Sequence, residues 1–322
     1  MTAPAANAAP LWAAIDLGSN SFRLELARED DIGRFERQQY LKEPVRLGGG
    51  LDEKGCITRA AMQRGWQCLA AFGQRLRELH EESGLNLATH ARAVATQTLR
   101  EARNADEFLT EAQRLLGLPI AVISGHEEAA LIYRGVSSLL PATDERRVVV
   151  DIGGRSTEII TGQGVRALDM ESYPVGSVTL SQRHFADGLL AASAFEAAVA
   201  DARAALHSAS ARFGRAHWQH AYGASGTVGA VLAALRRSGR ASVEGNMALS
   251  HLYWLRQRLI EAGSVQALDL PGIREERKAI IGGGLSLLIA VFEQLDMDAM
   301  HRGHGALRHG LFNTMRDAAQ GD

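Results

Sequence analysis

Ala14-Ile15-Asp16-Leu17-Gly18-Ser19-Asn20-Ser21-Phe22-Arg23 and Val149-Val150-Asp151-Ile152-Gly153-Gly154-Arg155-Ser156-Thr157-Glu158 read as two copies of one device. Aligned without gaps, Asp16 meets Asp151, Gly18 meets Gly153 and Ser21 meets Ser156. Each copy enters as an apolar strand, passes a tight turn of glycine and hydroxyl residues, and leaves as a second strand over 22–27 or 159–161. Such a turn aims backbone N–H groups and short hydroxyls at one point, the arrangement that holds phosphate. An aspartate beside it repels phosphate unless a divalent cation stands between them. An ordinary hairpin accounts for one copy. Two matched copies favour a pair of turns that grip a phosphate chain from both sides.

A chain of 322 residues that is 46% apolar suffices for two domains, each with its own core. The net charge of −2 gives no electrostatic basis for nucleic acid as a partner. Cys56 and Cys68 lack metal-ligand spacing and read as free thiols of a reducing compartment. The opening MTAPAANAAP has neither the basic start nor the apolar run of a secretory signal and reads as a loose tail. The longest apolar run, 279–292, is broken by Gly282, Gly283 and Gly284 and falls short of a bilayer span. A soluble, cytoplasmic protein without a membrane partner is expected.

Strand patterns occupy 11–16, 22–27 and 34–41, followed by a glycine loop at Gly48, Gly49 and Gly50. Helical spacing then places Met62, Trp66, Leu69, Phe72, Leu76 and Leu79 on one face of a helix over 58–82. The pattern continues as a strand at 87–95, a helix at 104–116, a strand at 120–123 and a helix at 127–140. The second half restarts with strands at 147–151, 157–161 and 165–169 and a long Ala-rich helix at 190–213. A strand at 218–222 runs into Gly223-Ala224-Ser225-Gly226-Thr227 and a helix, with further helices at 248–261 and 274–292. Three strands open each half, and helices follow. The expected fold is α/β with two related domains: a tail at 1–10, a first domain at 11–143 and a second at 144–322, the final helix packing back on the first. The ligand cleft is expected between them.

The first turn offers Asp16, Gly18, Ser19, Asn20, Ser21 and Arg23 to phosphate, Arg23 by its planar fork. The second offers Gly153, Gly154, Arg155, Ser156 and Thr157, and where the first copy has Arg23 the second has Glu158. One side thus presents a cation to phosphate, and the other presents Asp151 and Glu158 to Mg²⁺. Ser124-Gly125-His126-Glu127-Glu128 opens a helix, where acidic residues also serve as plain caps. A carboxylate there is placed to accept a proton from water; Glu128 is the first choice as catalytic base and Glu127 the second. Thr96 and Arg100 leave a strand end, and Gly223, Ser225, Gly226 and Thr227 form a strand–helix joint, both suited to anions. Arg274 and Arg277 border the same site or form a solvated basic face. His301, His304 and His309 fit no zinc spacing.

Taken in order, 15–23, 45–51, 95–104, 124–135, 151–158, 223–227, 274–284 and 307–310 resemble the exopolyphosphatase/guanosine pentaphosphatase (Ppx/GppA) phosphatases of the actin–Hsp70–sugar-kinase superfamily. The resemblance implies a ribonuclease-H-like fold in each domain, in a short two-domain type. It implies hydrolysis of the terminal phosphoanhydride of inorganic polyphosphate, dependent on Mg²⁺ or its substitute Mn²⁺, releasing orthophosphate. The family's catalytic glutamate matches Glu128, and its metal-binding acids match Asp151 and Glu158. The alternatives are a guanosine pentaphosphate (pppGpp) 5′-phosphohydrolase and a non-hydrolysing sensor of polyphosphate or of pppGpp and ppGpp. Members are often homodimers. Two residues depart from the family pattern: Arg155 replaces a third glycine, and Ala130 stands where Arg is usual. Arg155 reads either as blocking backbone approach to phosphate or as adding a cation to the site, one that would replace the charge missing at position 130.

Overall fold

The computed structural model describes residues 9–240 and 246–321; most of the expected tail, 1–8, lies outside the described residues. The chain forms two compact units, one running up to Ile123 and joined by the segment from Arg308, the other Ser124–Leu307. The sequence boundary near 143 therefore differs from this division: the helix that carries Glu128 packs with the second unit.

In the first unit β1 (Leu11–Leu17), β2 (Phe22–Glu29) and β3 (Phe35–Glu43) precede α1 (Arg59–Ser83), α2 (Leu87–His90), β4 (Ala91–Ala95), α3 (Gln97–Glu101), α4 (Ala105–Leu116) and β5 (Ile120–Val122). The sheet runs β3-β2-β1-β4-β5, with β1 antiparallel to β2 and parallel to β4. Every residue of β1 is buried, as a central strand covered on both faces requires. Phe22, Phe72 and Phe108 anchor the core between sheet and helices, each worth about 1.5–3 kcal/mol of apolar burial.

The second unit comprises α5 (Gly125–Ser137), β6 (Arg146–Ile152), β7 (Thr157–Gln163), β8 (Arg166–Tyr173), α6 (Ser177–His184), α7 (Ala192–Ala205), α8 (Ala209–Phe213), β9 (His220–Ala224), α9 (Ser225–Arg237), α10 (Leu249–Ala262), α11 (Glu275–Gln294) and β10 (His301–Arg302). Its sheet, β8-β7-β6-β9-β10, repeats the first in order and direction. With Asp16 set on Asp151 even the register shifts coincide, Leu26/Ala27 against β3 and Thr161/Gly162 against β8. This is the twofold α/β organisation that the element order predicts, and the ribonuclease-H-like fold of each domain that the family resemblance implies. The apolar helix α11 packs on α6, α7 and α10 over a core that includes Phe195, Leu285, Leu288 and Phe292.

Two local expectations are corrected. The segment 87–95 is not one strand: the Asn86 side chain accepts from the N–H groups of Ala88 and Thr89 and winds Leu87–His90 into a helical turn before β4 begins. The Ala-rich 190–213 is not one helix: it divides into α7 and α8 where Ser208 Oγ meets Tyr173 Oη of β8 at 3.2 Å. The last helix, α12 (Leu307–Gln320), belongs with the first unit from Arg308 onward and stacks Phe312 on Phe35.

Candidate active site

In the second unit the β6–β7 register sets Asp151 directly opposite Glu158, and the β7–β8 register sets Glu158 opposite Ser172. Glu158 is 1% exposed, and Ser172 Oγ donates to its Oε1 at 2.8 Å. Burial pushes the Glu158 carboxyl well above the ordinary range, and the charges of Glu128 and Asp151 push the same way against the hydrogen bonds of Ser156 and Ser172. Helix α5 lies against β7 and β8 and carries the buried Glu128 in its first turn. Three carboxylates thus share one electrostatic neighbourhood.

The turn between β6 and β7 is closed by Gly153 N–H donating to Ser156 O at 2.9 Å. Its carbonyls are engaged from behind by the start of α6, Ser177 N–H on Gly153 O and Val178 and Thr179 N–H on Gly154 O. Oxygen lone pairs are thereby held within the fold, as a turn that receives an anion requires. Gly176 makes that contact possible: a Cβ there would overlap the Gly154 carbonyl and the Arg155 nitrogen. Beside β6, the parallel register pairs Asp151 with Ala224, so the β9–α9 joint adjoins the turn at the carboxyl ends of the strands. Ser225 there has φ +91°, and its Oγ accepts from Thr227 and Val228 N–H, capping α9. The Arg277 guanidinium occupies the space a side chain at Gly226 would need, which brings Arg277 to the same joint.

Not every expected residue faces this site with a free group. Thr157 Oγ1 donates to Val175 O and Thr227 Oγ1 to Ile152 O, so both hydroxyl protons are held inside the fold. Glu127 forms a reciprocal capping box with Ser124, its Oε2 accepting from Ser124 N–H at 2.7 Å. That backbone hydrogen bond holds its carboxyl below the ordinary value, which suits a cap and not a base. Glu127→Ala should lower the melting temperature and leave kcat unchanged, a pairing that calorimetry and a phosphate-release assay check together.

The first turn is built alike with opposite electrostatics. Asp16 stands across from Arg23, whose Nη1 donates to Asp16 Oδ2 at 2.8 Å. The carbonyls of Ser19 and Asn20 accept from Gly48 and Arg46 N–H. Arg308, from α12, donates to the same Asp16 oxygen at 3.2 Å and to Glu25 Oε2 at 2.9 Å. Arg37 Nε and His309 Nε2 approach the other Glu25 oxygen at 3.0 and 3.6 Å. Burial alone would raise the Glu25 carboxyl, but the charges of Arg308 and His309 and the hydrogen bonds of Arg37 and Arg308 hold it below the ordinary value. Glu25 carries no sequence signal beyond a lone acid in an apolar strand, and although Arg308 falls in the 307–310 segment, no local pattern links it to Glu25. Arg308→Met should destabilise the protein by about 3–5 kcal/mol at neutral pH, since it strands buried carboxylates. A depressed carboxyl contributes stability above its unfolded value, so this deficit should shrink as pH falls through the folded one. Denaturant titrations at several pH values read it. Thr96 caps the short α3, and Arg100 donates from Nη1 to Ile123 O and from Nε to Gln97 Oε1, which binds its guanidinium to its own unit.

A sequence model of the Ppx/GppA phosphatase family matches residues 27–318. The chain belongs to that family. It is accordingly a hydrolase of phosphoanhydrides. The match takes in Glu128, the second turn and the β9–α9 joint and begins beyond the first turn, whose reading stands on its own geometry. Among solved structures, an exopolyphosphatase-like protein shares 24% identity over 96% of this chain and 99% of its own, with a TM-score of 0.84. An exopolyphosphatase from Cytophaga hutchinsonii shares 24% over 96% and 98%, with a TM-score of 0.82. The Aquifex aeolicus PPX-GPPA enzyme shares 24% over 95% and 99%, with a TM-score of 0.73. At that identity these likenesses establish the fold of a Ppx/GppA protein. No helix among the described residues is long and apolar enough to cross a membrane.

Among the described residues no group of three or more His, Cys, Asp or Glu closes into a metal cage. Mg²⁺ does not require one, since it binds through one or two carboxylates and keeps several waters. The donor chemistry fits: Asp151 and Glu158 supply hard oxygens, and their mutual repulsion is what a dication relieves.

Proposed function

We propose that this chain is an exopolyphosphatase that removes terminal orthophosphate from inorganic polyphosphate with the help of Mg²⁺. One observation carries the reading: Glu158 is buried where the charges of Glu128 and Asp151 both bear on it, beside a turn built to receive an anion, and these are hard carboxylate oxygens of the kind a dication takes. Two copies of a phosphate-type turn also suit a substrate of repeated phosphates.

The division of labour follows from the residues. Backbone N–H groups of residues 154–156, beyond the Gly153 N–H that closes the turn, hold the oxygens of the terminal phosphoryl group. Glu128 orients a water for in-line attack and takes its proton, in a reaction where positioning and electrostatics contribute most. Asp151 and Glu158 would hold Mg²⁺, which when bound would neutralise charge on the phosphates. Arg277 and Arg155 are the cations that this unit brings to the same neighbourhood.

The test is phosphate release from short and long polyphosphates and from guanosine pentaphosphate, across a Mg²⁺ titration. Polyphosphate should give the larger kcat/KM. A larger value for the nucleotide would move the assignment to the 5′-phosphohydrolase, and binding without release from either would make the protein a sensor.

A further inference from the structure

We propose that the second unit holds another ligand site, a pocket for a single small phosphate-type oxyanion walled by Arg147 and Ser137. It is a cavity of about 580 Å³ lined by Ser137, Leu140, Thr143, Asp144, Arg147 and Val165 among others. It lies away from the candidate active site. Arg147 precedes Asp151 by four residues on β6, about 13 Å at the rise of a strand. Ser137 follows Glu128 by nine residues on α5, again about 13 Å.

Arg147 is only 2% exposed, and it forms no ion pair among the described residues. Its Nη2 donates to Pro141 O, while its Nε is buried without a hydrogen-bond partner. Ser137, 3% exposed, sets a buried Oγ on the same wall, where its polar neighbour is the Tyr133 hydroxyl. A buried guanidinium is normally matched by a carboxylate or a bound anion, because leaving it unmatched is strongly unfavourable. Here the fold supplies the cation, an adjacent hydroxyl and the space, and leaves the counter-charge to a ligand. The guanidinium fork matches an oxyanion. The exposed Asp144 on the same wall disfavours an extended polyanion more than one small anion seated at the guanidinium. Leu140 and Val165 leave room for an apolar substituent on it. The site is independent of the phosphatase reading and stands if that reading fails.

The experiment uses the full chain. Crystals soaked in tungstate, a tetrahedral dianion, should show an anomalous peak within hydrogen-bond distance of the Arg147 guanidinium. In solution, orthophosphate should raise the melting temperature of the wild type. Arg147→Met should remove that contribution, weakening the apparent affinity of this site about tenfold or more through loss of charge-assisted hydrogen bonds. Val165→Trp, made at a position 69% exposed, leaves the core untouched and should produce the same loss by covering the mouth. Both variants should keep wild-type kcat. A cavity that holds only water in the soaked crystals, or an orthophosphate response identical in the wild type and both variants, overturns the proposal.

Discussion

Glu128→Gln is expected to lower kcat on polyphosphate by about 10²–10⁴-fold, with KM nearly unchanged. The amide fills the same volume in the first turn of α5 and leaves the Ser124–Glu127 capping box intact, so the helix should stay in place. What disappears is the group that accepts the proton of water. One of the charges that push the Glu158 carboxyl upward disappears with it, so that carboxyl should ionise more readily in the variant. Steady-state kinetics with a separate binding measurement read the first effect, and carboxyl-sensitive spectroscopy reads the second. A fully active Glu128→Gln enzyme would remove Glu128 from the mechanism.

Glu158→Gln should act in two opposite directions. Activity should fall at least about 10²-fold, because an electrostatic element of the site is lost. Metal-free stability should rise by on the order of 1–3 kcal/mol at pH 8, because an ionised carboxylate no longer has to be buried. The pH dependence has a definite sign. Burial, then Glu128 and Asp151, raise the folded-state value of Glu158, so its favourable contribution is complete below the ordinary 4.5 and is lost as pH rises through the folded value. In chelator, the stability gap between variant and wild type should therefore widen as pH increases. Mg²⁺ should close it by stabilising only the wild type. Thermal unfolding of both proteins from pH 5 to pH 8, with and without Mg²⁺, decides the matter. A gap that narrows with pH would show that Glu158 is not held in this way.

The apolar runs of β1, β2, β6 and β7 and the turns between them are local, and the residues on either side of each turn are enough to read them. The pairing of Asp16 with Arg23 and of Asp151 with Glu158 follows as well, since a tight hairpin fixes its own register. Glu128 and Glu127 are adjacent and of one chemistry, so sequence proposes both. The turn of Glu127 back onto Ser124 is a local capping box, but only the orientation of α5 against β7 and β8 buries Glu128 beside Glu158. The same limit hid the break at Ser208, which depends on a tyrosine from another element, and the carbonyl-capping role of α6.

By itself the sequence determined that the protein has two copies of one strand–turn–strand device, strands to carry them and the acids of the second copy, because each depends on residues within a few positions of one another. Tertiary structure alone decided the charge balance. Arg308 reaches Glu25 across 283 residues of chain to complete the first copy's salt-bridge network, while in the second Glu128 adds its charge to that of Asp151 in pushing the buried Glu158 carboxyl upward. Pairing over that distance is set by which surfaces the two cores bury, a property of the folded whole that no local pattern records.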